Sequence, residues 1–287
     1  MSKNLLNISG KINEPFLGIY AEIANVAEQI DLPFFIIGAT ARDLIFEHAY
    51  GIKAPRATRD VDLAVQVNDW QAFETLKSQL LATNQFSQDP KQLQRLLYRE
   101  NIPVDIVPFG GIETDGSIAW PPEYSIQMTV TGFQEAYQHT QIVRLREQPP
   151  LDIRCVTPVG LLILKLIAWS ERYPQGGKDA LDIAFVLRNA VGEWNRDLLY
   201  DHHTNLLEDA DFDEDLAGAR MLGRQAAEML SSPTWQLVVG ILHAQTGEQS
   251  DYRLVANMVQ TPDQFNQYLN LLDALYRGIT EQPPQQG

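Results

Sequence analysis

Two carboxylates spaced two residues apart, Asp60 and Asp62, head the run Arg59-Asp60-Val61-Asp62-Leu63-Ala64-Val65-Gln66-Val67. Successive side chains of a strand point to opposite faces, so Val61, Leu63, Val65 and Val67 share one face and the two aspartates the other. Neighbouring like charges repel unless water or a cation lies between them, and oxygen donors of this kind suit Mg²⁺ or Mn²⁺. A solvated strand face would carry the same pair, so the D-x-D spacing takes its meaning from a third residue. Asp105 interrupts Ile102-Pro103-Val104-Asp105-Ile106-Val107, a stretch apolar enough for an interior strand. An unpaired charge is costly there, which a metal or a hydrogen-bonded base role would explain. An edge strand with Asp105 facing water is the alternative.

Gly38-Ala39-Thr40 follows the apolar run Phe34-Phe35-Ile36-Ile37 and opens a helical pattern. Small residues there let a ligand approach the backbone, and amides at a helix start face an anion, an arrangement suited to a triphosphate. A plain strand-to-helix turn with Thr40 as N-cap is the competing account. Arg42 stands just beyond as a further nucleotide-binding candidate and joins Lys53, Arg56 and Arg59 in a basic cluster before the paired aspartates. Lys165 lies within Leu161-Leu162-Ile163-Leu164-Lys165-Leu166-Ile167-Ala168-Trp169, a helix apolar nearly all round, so its ammonium must snorkel or meet an anion. A phosphate would serve, as would Asp179 or Asp182, which are three apart on one helix face.

A glycine turn after a strand, a D-h-D strand and a third aspartate on a later strand, in that order, resemble the DNA polymerase β-like nucleotidyltransferases. Within that superfamily the chain is most similar to the AbiEii/AbiGii toxin-type enzymes, whose later motifs resemble Lys165-Leu166-Ile167-Ala168 and Lys178-Asp179-Ala180-Leu181-Asp182-Ile183. The resemblance covers about residues 30 to 190. It differs in reading Gly-Ala-Thr in place of a Gly-Gly or Gly-Ser pair, and Lys178 where the toxin-type pattern has arginine. What it implies is a catalytic set of Asp60, Asp62, Asp105 and Lys165. The same aspartates would be the metal ligands, and Gly38, Ala39, Thr40, Arg42, Lys165, Lys178, Asp179 and Asp182 would line the nucleotide site. It further implies transfer of a nucleoside monophosphate from a nucleoside triphosphate to an RNA, tRNA among them, or a protein hydroxyl, and a toxin with a cognate antitoxin. The rivals are a non-catalytic nucleotide- or partner-binding module on the same fold and a phosphohydrolase using the same aspartates.

The elements that must position these residues follow from periodicity. Ile19 to Ile30, Ala41 to Ala49 and Trp70 to Leu81 read as helices, and Phe34 to Ile37, Val61 to Val67, Gln94 to Tyr98, Val104 to Phe109 and Gln141 to Leu145 as strands, the fourth of these strands broken at Pro108. Gly51 to Thr58 and the segment around Trp120-Pro121-Pro122 read as loops. Thr157-Pro158 starts a helical half that includes Lys178 to Asn189 and Leu216 to Leu230, and Thr280 to Gly287 reads as a frayed tail. The expectation is an α/β (α+β) nucleotidyltransferase core with a mixed sheet over residues 1–150, and a helical domain over 151–287 that completes the nucleotide cleft.

A formal net charge of −15 excludes a broad basic surface for tracking nucleic acid, leaving only local basic patches. The single Cys155 excludes an internal disulfide framework, and the opening residues lack the build of a secretory signal, so the protein is expected to be cytoplasmic, with no membrane span. Glu208 to Asp215 begins like a calcium loop but has Glu214 where glycine is needed and Arg220 where the bidentate glutamate should be, so it reads as a solvated acidic turn.

Overall fold

Val61–Val67 forms the strand its alternation predicts: Val61, Leu63, Val65 and Val67 are buried, and Asp62 and Gln66 are half-buried on the other face. This computed structural model describes residues 5–175, 177–281 and 283. The chain divides into two units, Met1–Thr157 and Pro158–Gly287.

In chain order the first unit contains β1 (Leu6–Asn7), α1 (Phe16–Gln29), β2 (Phe34–Ile36), α2 (Gly38–Arg42, continued by a π-helix over Asp43–Ala49), β3 (Val61–Val67) and α3 (Trp70–Ala82). There follow β4 (Phe86–Gln88), β5 (Arg95–Tyr98), β6 (Ile102–Gly110), β7 (Ser117–Trp120), β8 (Ile126–Thr129), α4 (Phe133–Gln138), β9 (Gln141–Arg146) and β10 (Leu151–Cys155). Eight strands form one mixed sheet in the order β1-β9-β10-β2-β3-β6-β5-β4. β3 runs parallel to β6 with Asp62 opposite Asp105, and β5 runs antiparallel to β6 with Arg95 opposite Asp105. β2, antiparallel to β3, delivers the chain to Gly38 at the same end. Phe35 of β2 and Phe109 of β6 meet edge to face at 5.7 Å, and Phe133 of α4 packs on Phe109 at 6.0 Å, closing part of the core over the sheet.

β6 continues through both prolines, contrary to the break expected at Pro108. Neighbouring residues of a strand direct their N–H groups to opposite sides. The Ile106 N–H bonds the Gln94 carbonyl on the β5 side, so position 108 faces the same side beyond the last residue paired with β5. Position 103 faces β3 one residue before that pairing begins at Val104. The missing proline donors therefore cost no ladder bond.

The segment around Trp120 is a second correction. Ser117–Trp120 and Ile126–Thr129 form an antiparallel hairpin, with Pro121 and Pro122 in its turn. Trp120 is buried against Trp70 and Phe73, at 5.4 and 5.6 Å between ring centroids. Residues 151–155 are also sheet: β10 pairs with β9, and Cys155 pairs with Ile36, so the sheet reaches past the boundary expected at residue 150.

Among the described residues the second unit is helical: α5 (Pro158–Arg172), α6 (Gly177–Arg188), α7 (Arg196–His202), α8 (Thr204–Asp209), α9 (Glu214–Met229), α10 (Ser232–Thr246), α11 (Arg253–Met258) and α12 (Phe265–Glu281). Pro158 takes the first position of α5, where its absent N–H is harmless. α9 and α12 approach closely because Gly278 has no Cβ; one there would stand 2.0 Å from the Arg220 carbonyl oxygen. The acidic run before α9 holds no calcium-loop geometry: Asp213 accepts from the Leu216 N–H as a helix cap, and Arg220 pairs with Asp209. α12 extends to Glu281, so the tail expected from Thr280 is helical at its start, and residues 282 and 284–287 lie outside the described residues. No helix among the described residues is long and apolar enough to cross a membrane.

Candidate active site

Asp62 and Asp105 face each other across the parallel pair β3/β6, and Asp60 sits one residue before β3 begins. All three are half-buried, and each offers a carboxylate oxygen within 4.8 Å of those of the other two. Among the described residues this is the one group of three acidic, histidine or cysteine side chains so placed. The convergence follows from register: parallel pairing puts position 62 beside 105, and the period of two puts Asp60 and Asp62 on one face.

Sequence reasoning missed Arg95. Its Nε donates to Asp105 Oδ1 and its Nη2 to Asp105 Oδ2, both at 2.7 Å, a bidentate pair in which each group is mostly buried. The hydrogen bonding to Asp105 holds the guanidinium still further above its ordinary range, and Asp60 adds to this, so Arg95 stays a cation against the cluster. The partner that Asp105 needs within an apolar strand is thus present on β5. The signal available in the sequence was Arg95 inside a strand-like run, but nothing in spacing announces which residue of β6 it faces.

The glycine turn braces the same group. Gly38 has φ of +67°, and a Cβ on it would stand 2.4 Å from Asp62 Oδ2, so only glycine lets the backbone pass the carboxylate. The Thr40 hydroxyl donates to the Asp60 carbonyl at 2.9 Å and accepts from the Asp62 N–H at 3.3 Å. Thr40 is therefore not the N-cap of α2; Ile37 occupies that position, and its own N–H bonds the Asp62 carbonyl. Ala39 is buried in the first turn, and the Thr58 hydroxyl donates to Asp60 Oδ1 at 3.2 Å.

Arg42 departs from the expected basic surface. Its side chain is 0% exposed, and Nε and Nη2 donate to Asp43 Oδ1 at 2.8 and 2.6 Å, with Nη2 also reaching the Arg56 carbonyl. It anchors the 51–59 loop to α2 from inside the unit. Lys53 and Arg59 remain exposed, and Arg56 is half-buried.

In the second unit, Lys165 of α5 bonds two carboxylates of α6, Asp179 at 2.9 Å and Asp182 at 2.8 Å. Both are buried, Asp182 completely. Burial alone would push the ammonium down, but Asp182 and Asp179 outweigh it and hold Lys165 above the ordinary lysine range. Three residues singled out in the sequence thus meet as one buried ionic group. Lys178, in the first turn of α6, is exposed.

Similar structures include the antibiotic-resistance factor ANT(2'')-Ia, at 13% identity over 70% of this chain and 98% of that one, with a TM-score of 0.38. An antigenic nucleotidyltransferase-like protein from Paracoccidioides brasiliensis is 19% identical over 69% of this chain and 90% of its own, at a TM-score of 0.41. A CCA-adding enzyme complexed with ATP is 12% identical over 94% and 80% of the two chains, at 0.27. Likeness this distant assigns no substrate. No curated protein matches the chain. The model of the nucleotidyl transferase AbiEii toxin family, described as a type IV toxin–antitoxin system, matches residues 25–269, so the chain belongs to that family and is a nucleotidyltransferase.

Proposed function

We propose that the chain transfers a nucleoside monophosphate from a nucleoside triphosphate to a hydroxyl of an RNA acceptor, using a divalent cation held by Asp60, Asp62 and Asp105. The convergence of these three carboxylates carries the reading. Their chemistry fits Mg²⁺ or Mn²⁺: all donors are anionic oxygens, half-buried, and close enough together that their charges repel, with Arg95 bonded to Asp105. A cation there supplies charge neutralisation for the triphosphate and its leaving pyrophosphate.

The residues of the chain do the positioning. Thr40 fixes the backbone at Asp60 and Asp62, and Thr58 orients the Asp60 carboxylate. Arg95 holds Asp105 by both oxygens, which suits orientation better than proton abstraction, because an acid–base group needs a free lone pair toward its substrate. Gly38 keeps the space beside Asp62 clear of any side chain, so a phosphate approaching that carboxylate meets backbone. Lys165, Asp179 and Asp182 form a group that holds α5 to α6, with Lys178 exposed in the first turn of α6; within the helical unit these are the residues proposed to contact the nucleotide.

RNA is favoured over a protein hydroxyl because exposed Lys53 and Arg59 lie in the segment that runs into Asp60, a local positive entry on a chain of net charge −15. A role as the toxin of a two-gene module, with a cognate antitoxin as its partner, follows the family description. The bidentate Arg95–Asp105 pair favours one second reading, a binding module whose acidic site is closed without turnover. Incubation with each α-labelled nucleoside triphosphate, Mg²⁺ and total RNA or cell protein separates them, with Asp60→Ala as control. Label entering RNA in the wild type alone supports the proposal; label in protein redirects the acceptor; bound nucleotide with no label in either supports the binding module.

A further inference from the structure

Within the first unit a cavity of about 280 Å³ lies against α1, the helical stretch of α2 and its π-helix, and the segment before α1. Ile12, Phe16, Leu44 and the ring of Tyr20 supply its apolar wall. Tyr20 is 2% exposed, and its hydroxyl has no hydrogen-bond partner among the described residues, although a phenol at this depth ordinarily finds one. Burial, with Cys155, Asp43 and Asp62 adding to it, pushes the ionisation of Tyr20 far up, so the group is a hydrogen-bond donor at any physiological pH.

The charged groups at this cavity do not suit a phosphate. Lys11 Nζ is bonded to the His48 carbonyl at 2.7 Å, Asp43 is paired with Arg42 at 2.6 Å, and Glu14 adds another carboxylate. The volume sits at the small end of ligand cavities, which begin at roughly 300 Å³, so it admits one ring system and no more. Aromatic side chains stack on any base face, and a single buried donor reads one acceptor atom on its edge.

We propose that this cavity binds one uncharged nucleobase, apart from the triphosphate, with the Tyr20 hydroxyl donating to it. Thr40 and Thr58 line the same cavity while bonding the Asp60 carbonyl and carboxylate, so an occupant touches the groups that set the acidic centre. The base arrives either as a free nucleoside or as an unpaired base of RNA. The inference stands whether or not the aspartates hold a metal.

Calorimetric titration of the full chain with adenosine, guanosine, cytidine and uridine, and separately with short single-stranded homopolymer RNA, tests it. At least one base is expected to bind. Tyr20→Phe removes one oxygen and is expected to weaken binding about fivefold, the effect of one neutral hydrogen bond; Leu44→Trp, which fills the cavity, is expected to abolish it, and Asp60→Ala to leave it in place. Binding of nucleosides identifies a free ligand, and binding of RNA alone identifies an acceptor base; either supports the cavity if Tyr20→Phe weakens it. Absence of binding by both classes overturns the proposal, as does affinity unchanged in Tyr20→Phe or lost in Asp60→Ala, which would place the base at the aspartates.

Discussion

At the scale of single residues, two positions around the aspartates separate geometry from charge. Gly38→Ala places a methyl group against the Asp62 carboxylate in a backbone conformation that side chains rarely adopt. It is expected to cost about 1–3 kcal/mol of stability and to lower transfer by about 100-fold, read by thermal melting and by nucleotide incorporation. Retained activity would show that the Asp62 carboxylate works from another position. Arg95→Ala should act in opposite directions on two readouts. It removes the cation that competes for the Asp105 oxygens, so bare Mn²⁺ should bind more tightly; it also frees Asp105 to rotate, so transfer should fall by about 10- to 100-fold. A parallel fall in both would show that Arg95 positions Asp105 for the cation and does not compete with it. The aspartates themselves were legible in the sequence because alternation fixes which side chains share a face. Arg95 was not, since its meeting with Asp105 depends on the register of two strands that no local pattern encodes. Arg42 misled because a basic residue beside a glycine turn reads the same whether it faces ligand or interior, and burial was decided by Asp43 next to it.

At the scale of elements, the readings hold wherever the pattern runs uninterrupted and fail where prolines or an adjoining helical pattern mask a short strand. β3 and α3 have clean periods of two and of three to four, and β2 is a plain apolar run. The hairpin β7/β8 was read as loop because Pro121 and Pro122 mark a turn without revealing the short strands flanking it. β10, five residues alternating as Leu151-Asp152-Ile153-Arg154-Cys155, was absorbed into the helical half that follows it. The α5/α6 pair offers the sharpest test at this scale. Lys165→Ala leaves Asp179 and fully buried Asp182 facing each other without their ammonium, which is expected to destabilise the second unit by about 3–5 kcal/mol. Urea denaturation measures this. Unchanged stability with lost triphosphate binding would instead give Lys165 a direct contact with phosphate.

At the scale of the whole molecule, a mixed-sheet part followed by a helical part was legible from the change of texture at about residue 151, although β10 carries the sheet on to Cys155, whereas acceptor choice is not a property of any one motif. A chain of net charge −15 repels polyanions at long range, so the proposed RNA acceptor would have to enter against that field through local cations. Replacing exposed Lys53 and Arg59 together by alanine should lower RNA labelling several-fold in low salt and flatten its decline with rising salt. An unaltered salt dependence would remove this segment from the RNA path. All of this presupposes that Asp60, Asp62 and Asp105 act jointly on one cation site. Titration with Mn²⁺ in the presence of a nucleoside triphosphate, following free Mn²⁺ by electron paramagnetic resonance, addresses that directly. Asp60→Asn, Asp62→Asn and Asp105→Asn should each weaken Mn²⁺ binding by the protein–nucleotide complex by at least about tenfold, the scale on which even supporting groups of a metal site act; equal affinity in the wild type and all three variants would contradict a metal site formed by these aspartates.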